Sequence, residues 1–304
     1  MSAPPAQVPA LNNLFRFMSA TTETIQRPAP TLAESNLSLW LRQIRAIVAS
    51  DLKKNFFGKR SLLVYLLAMM PIALLVLVAL VNPIRESDVG RLPTIYSIFY
   101  NSLILRTIVF FGCAWIFMNL FRGEIVDRSL HYYFLCSVRR EVLVAGKYLS
   151  GFLTSAILFT IVTVVCMLLV FFPHFYSSST RFFLEGAGLS QLFWYVTITI
   201  LACIGYGAFF LVVGLFVRNP IIPALVLYGW EWINFLLPPL LKKISVIHYL
   251  NSLVPVPISE GPFAVVAEPT PAWISIPGLL IVTALVLFLA GTRIRRMEIR
   301  YGSE

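Results

Sequence analysis

Long apolar runs separated by short polar segments dominate the chain, and the pattern predicts six membrane-spanning helices. They cover about residues 62–81, 95–118, 148–172, 189–217, the stretch from just after Asn219 to about 237, and 273–292. Each approaches the roughly 20 apolar residues needed to cross the hydrocarbon layer. A backbone in hydrocarbon must satisfy its own hydrogen bonds, which selects helices. The alternating segments of about ten residues that build a membrane barrel are absent. The expected fold class is an all-α integral membrane protein.

The segments between the spans have patterns of their own. Residues 37–58 place Leu37, Trp40, Leu41, Ile44, Ile47, Val48, Leu52 and Phe56 at three- and four-residue intervals, an apolar stripe along one helix. Arg42, Arg45, Asp51, Lys53 and Lys54 are assigned to the other face, which gives a basic helix suited to lie in the plane of a leaflet. Residues 119–147 form a long charged loop carrying Arg122, Glu124, Asp127, Arg128, Arg139 and Arg140, with Ser137 as a candidate helix cap. A connector needs nothing so long, so a docking surface for another protein is the reading preferred over a solvated link. Residues 238–272 are semi-apolar and broken by prolines, and read as a hairpin dipping back into the membrane on the outer side. Residues 1–36 contain no signal-peptide core and read as a disordered cytoplasmic tail, and 293–304 as a basic one.

Composition agrees with a membrane protein: 58% of residues are hydrophobic, only 12% are charged and the mean hydropathy is +0.82. Charge adds an orientation, because Lys and Arg collect on the cytoplasmic side of short loops. With the N-terminus inside, only Arg85, Arg91, Arg181, Lys242 and Lys243 of the 24 cations lie outside, and Arg106 falls within the second span. Both termini are therefore expected in the cytoplasm. The net charge of +10 is accounted for by this bias and by contact with anionic lipid, without nucleic acid as a partner.

Candidate chemistry is sparse. Cys113, Cys136, Cys166 and Cys203 stand singly, and His131, His174 and His248 are scattered, so neither a metal site nor a disulfide framework is expected. Gly146 and Lys147 superficially suggest a phosphate-binding loop, but Glu141 stands where its first glycine belongs and Tyr148 where its Ser or Thr belongs. No catalytic residues are assigned and no cofactor is expected to bind directly. Two ionisable residues do fall inside spans, Arg106 and Glu231, the latter flanked by Trp230 and Trp232. A buried charge in a span normally faces the bundle interior and a partner. Both lie about ten residues into their spans, roughly 15 Å of rise, so an ion pair at matching depth is one expectation. The other is that each is satisfied separately.

From about residue 37 onward the arrangement resembles the membrane subunit of type-two ABC exporters. The resemblance rests on GEIVDRSLHYYFLCSVRREVLVAGKYLSG, an acidic helix, a small-residue break, two arginines and a Gly-Lys opening the third span. It rests also on RNPIIPALVLYGWEWINFLLP followed by ISVIHYLNSLVP, a fifth span with an internal Trp-Glu and an outer hairpin. Ser137 and Val138 stand where the family often has a proline before the arginine. The resemblance implies a multi-pass permease of the cell inner membrane that works with a second copy or close relative. A separate ATPase subunit would supply ATP and magnesium. Arg122, Glu124, Asp127, Arg128, Arg139 and Arg140 would then couple to that ATPase. Residues 37–58, with Arg42, Arg45, Asp51, Lys53 and Lys54, would be an elbow helix, and Arg106, Trp230, Glu231 and Trp232 would line the path. An ion-gradient transporter and a membrane scaffold that transports nothing remain the alternatives, and neither lipids nor amphipathic drugs are singled out as cargo.

Overall fold

A computed structural model describes residues 36–58, 61–81, 90–126, 139–171, 183, 186–217, 221–236, 238, 245–256 and 271–295. Among these the structure is helical, without strands. The helices are α1 (Asn36–Phe57), α2 (Ser61–Val81), α3 (Leu92–Phe99), a π-helix π1 (Tyr100–Val109), α4 (Phe110–Val126), α5 (Arg140–Phe171), α6 (Gly188–Phe216), α7 (Ile221–Ile233), α8 (Val246–Asn251) and α9 (Ala272–Arg295). The chain divides into two units, Met1–Arg42 and Gln43–Glu304; the packing described below is that of the second.

Among the described residues five helices are long and apolar enough to cross a membrane: α2, the continuous α3–π1–α4, α5, α6 and α9. They mark a multi-pass membrane protein. Where a sixth span was expected, α7 has 13 residues and ends in a 3₁₀ turn, Asn234–Leu236. At 1.5 Å per residue it is about 20 Å long, short of the roughly 30 Å of hydrocarbon. Polar Glu231 and Asn234 are both buried near its end, and Pro238 follows. Of the expected hairpin over 238–272, the described part centres on α8, whose Ile247 and Leu250 are fully buried and which packs on α6 and α9.

The centre of the bundle is α6, packed against α4, α5 and α9. Its composition explains the position. Gly205, Gly207, Gly214, Ala202, Ala208 and Cys203 are all buried, and small residues let helices approach where lipid supplies no hydrophobic drive between them. A Cβ on Gly214 would lie 2.7 Å from the Cα of Met118 and 2.9 Å from its carbonyl oxygen. Backbone cannot swing aside, so Gly214→Ala is expected to destabilise the protein by about 1–3 kcal/mol, as overpacking does. Gly229, on α7, has open space around its Cβ position. Gly229→Ala, with the better helix former, is expected to be neutral or stabilising by up to about 1 kcal/mol. Thermal unfolding of both variants in the same detergent checks the contrast.

Paired residues give the helix directions. Tyr100 meets Thr199, Phe110 meets Phe210 and Met118 meets Gly214, so α3–π1–α4 runs parallel to α6. The Tyr96 hydroxyl donates to the carbonyl of Thr163, and Lys147 meets Glu124, so α5 runs antiparallel to both. One end of the bundle is tied by a polar cluster: the Tyr100 hydroxyl donates to the carbonyl of Tyr195 at 3.1 Å and shares a 2.9 Å bond with Thr199, itself 3.1 Å from Thr163. The rings of Tyr96, Tyr100 and Tyr195 pack with centroids 4.7–6.1 Å apart. In low dielectric a connected polar set of this kind rigidifies what it joins.

Candidate functional site

At the opposite end lies a clasp of charges. Lys147 Nζ is 2.8 Å from Glu124 Oε1 and 3.3 Å from Asp51 Oδ2, with its side chain only 1% exposed. Three segments supply these groups: Asp51 from α1, Glu124 from the end of α4 and Lys147 from the first turns of α5. Gly146 lets the Ile47 side chain approach closely, for a Cβ there would lie 3.0 Å from Ile47 Cγ2. The Phe121 ring sits 5.5 Å from Nζ, adding an aromatic face to the cation's surroundings. Lys54 Nζ, at 3.8 Å from Glu124 Oε1 and largely exposed, gives the cluster a second cation at its rim.

This geometry corrects the helical wheel drawn for residues 37–58. Asp51 lies on the inward side with Ile47 and Val48, all three buried, while Arg45, Lys53 and Lys54 point outward. The spacing contained the signal: 51 stands three and four residues beyond 48 and 47, on the stripe itself. Ile47 and Val48 are the buried part of the stripe, and beyond them Asn55 donates to Thr154 of α5 at 3.3 Å. Arg42 is exposed.

The residues of the charged loop divide. Glu124 is turned inward to Lys147 and Arg122 is half-buried, donating to the carbonyl of Val217 at 3.5 Å. Arg139 is exposed and Arg140 half-buried at the start of α5, where the Arg139 carbonyl accepts the amide of Leu143. Asp127 and Arg128 lie outside the described residues, as does the candidate cap Ser137. Lys147 was not among the residues assigned a role from sequence. A lysine following the five uncharged residues Val142 to Gly146, immediately before the expected span, was the available clue.

Of the two ionisable residues expected inside spans, Arg106 lies on π1 and Glu231, buried, on α7. The carboxylate's hydrogen bonds come from α8: Oε2 accepts from the Ser245 hydroxyl at 2.6 Å and the Ile247 amide at 3.1 Å, and Oε1 accepts from the Val246 amide at 3.2 Å. Glu231 thus caps a helix 14 residues further along the chain. The first amides of a helix have no intrahelical acceptor and carry its positive dipole end, so a carboxylate suits them. Arg106 Nε donates to Asn101 Oδ1 at 3.2 Å. Trp230 is half-buried; Trp232 is exposed and its ring packs on Tyr228, centroids 6.3 Å apart. Among the described residues no group of three or more His, Cys, Asp or Glu is placed to hold a metal ion. Compared with known proteins, the chain matches no family model, no curated protein and no solved structure.

Proposed function

We propose that the chain is the permease subunit of an ATP-driven ABC exporter, working in the inner membrane as a dimer with separate ATPase subunits. The observation that carries this reading is the Lys147 clasp. Glu124 and Lys147 flank the charged loop on its two sides, and their ion pair closes the loop's base while Asp51 fastens that base to α1. A force applied to the loop by a partner would reach α1, α4 and α5 together rather than dissipate in one flexible link. Arg139 and Arg140 stand at the loop's exit with Arg139 turned outward, as a docking surface for an ATPase requires. The basic face of Arg45, Lys53 and Lys54 fits the anionic headgroups of the same leaflet.

The test is co-purification of the tagged full chain from its native membrane, in parallel with an Arg139→Glu, Arg140→Glu double variant. A stoichiometric ATPase is expected with the wild type and is expected to be lost from the double variant while its melting temperature stays unchanged. Absence of an ATPase from both folded preparations would reject the reading in favour of a gradient-driven transporter or a scaffold.

A further inference from the structure

Close to the midpoint of the 33-residue span Leu92–Glu124, π1 turns a polar patch outward. Ser102 is exposed there, and Asn101, Arg106 and Thr107 are half-buried. The patch is joined internally: Arg106 Nε donates to Asn101 Oδ1 at 3.2 Å and the Thr107 hydroxyl to the Ser102 carbonyl at 3.3 Å. At 1.5 Å per residue all four lie within about 11 Å of the middle of the span, inside a hydrocarbon layer that extends about 15 Å to either side. Hydrocarbon offers such groups nothing to bond, so a charge at this depth faces the bundle interior, a water-filled cavity or a partner.

The neighbouring α7 adds an aromatic wall. The Tyr228 hydroxyl is 3.5 Å from that of Thr107, and the Tyr228 ring packs on Phe111 with centroids 4.7 Å apart and on Trp232 at 6.3 Å. Trp232 is 47% exposed. Glu231, the acid of the same helix, is only 3% exposed, and its oxygens accept from Ser245 and the first amides of α8. The surface therefore combines a guanidinium, hydroxyls and aromatic rings, with no exposed acid among the described residues of π1 and α7. A second copy of the chain covers such a surface poorly by itself. A patch on a two-fold axis meets its own copy, and two arginines brought together in low dielectric repel.

We propose that this face of π1 and α7 binds a single-chain anionic amphiphile, with Arg106 taking the headgroup and Tyr228 and Trp232 the apolar body. A guanidinium pairs with carboxylate or phosphate oxygens through two parallel hydrogen bonds, and the rings supply apolar contact. A bilayer phospholipid keeps its phosphate at the edge of the hydrocarbon, about 15 Å from its middle. The ligand is instead a molecule that carries its headgroup inward. Its role as cargo rests on the exporter reading above; its binding does not.

Photolabelling of the full chain in phosphatidylcholine nanodiscs with a diazirine-bearing palmitate tests the site without a transport assay. Mass spectrometry is expected to place the label on peptides from 100–109 and 221–233, with oleate competing at least about tenfold better than oleyl alcohol. Arg106→Lys is expected to keep the label and Arg106→Gln to lower it about tenfold or more, as loss of a hydrogen bond to a charged group does. Trp232→Ala, at an exposed ring, is expected to lower it with the melting temperature unchanged, which keeps the test decisive should Arg106→Gln fail to fold. Label spread evenly over α2 and α9, or equal competition by the alcohol, would overturn the site. So would an unlabelled face on a chain that runs as a dimer, since a second copy then covers it. Labelling of this face without a co-purifying ATPase rejects the exporter and leaves the ligand site; an ATPase with no label here does the reverse.

Discussion

Replacing Lys147 with methionine is expected to destabilise the protein by about 3–5 kcal/mol, the cost of removing one partner from a buried ion cluster. The reason is not the lost attraction alone. Asp51 and Glu124 are both buried and both face the same ammonium group. Without it, two carboxylates would share a desolvated site, and Lys54, at 3.8 Å and largely exposed, would stand at its edge rather than between them. In thermal unfolding the change corresponds to a fall of about 10 °C for a protein of this size.

Removing the whole cluster should behave differently. A buried ion pair replaced by apolar groups of similar volume is often neutral, because the desolvation cost disappears with the attraction. The triple variant Asp51→Leu, Glu124→Met, Lys147→Met is therefore expected to recover most of the lost stability. If the proposed exporter reading holds, it should still fail to couple to an ATPase, since the charged base of the loop no longer ties α1 to α4 and α5. A Lys147→Met protein that melts with the wild type would show that the clasp contributes nothing to stability.

The second large effect is expected at Glu231. Glu231→Ala would leave the Ser245 hydroxyl and the amides of Val246 and Ile247 without the acceptor they use now. Each buried donor so orphaned costs about 1–3 kcal/mol. These costs are not additive, and a total of about 4 kcal/mol is expected, read by thermal unfolding and by faster hydrogen exchange in 246–251. Glu231→Gln keeps one oxygen but turns an NH₂ group toward donors, so about half that loss is expected. A charge swap, Arg106→Glu with Glu231→Arg, is expected not to rescue: an arginine at 231 would point its N–H groups at the N–H groups of α8. Rescue by the swap would mean that attraction between the two charges, not capping, is what Glu231 supplies.

Hydropathy by itself determined that this chain is helical and repeatedly crosses a membrane, because the requirement that a backbone in hydrocarbon bond to itself leaves almost no choice. The boundaries of α2, α6 and α9 follow from the same one-dimensional signal and fall close to where the apolar runs begin and end, whereas α5 begins at Arg140, eight residues before the expected span and inside the segment read as a loop. The stripe in 37–58 was legible as a helix too, although a wheel finds an apolar face without showing that Ile47 and Val48 are the part of it that is buried. At α7 the apolar composition continues beyond Ile233, where the α-helix passes into a 3₁₀ turn, so the α-helix itself is shorter than the apolar run. Glu231 is bonded to the start of α8, and no local pattern announces that a carboxylate will cap a helix elsewhere in the chain.

Tertiary structure alone decided the chemistry of the charges. Glu124 was read as part of an outward docking face, Asp51 as part of a polar helix side, and Lys147 was given no role; the three meet because α4 and α5 run antiparallel and Asp51 reaches the same ammonium group. The π register of Tyr100–Val109 was equally illegible. It is favoured by bonds such as Arg106 to Asn101 and Asn101 to Asn251, whose partners include a residue 150 positions away. A sequence fixes what each stretch of chain can satisfy within itself. Which buried charge is answered by which distant group is a property of packing, because in a low-dielectric interior the nearest polar atom, wherever it lies along the chain, determines whether a charge is tolerated.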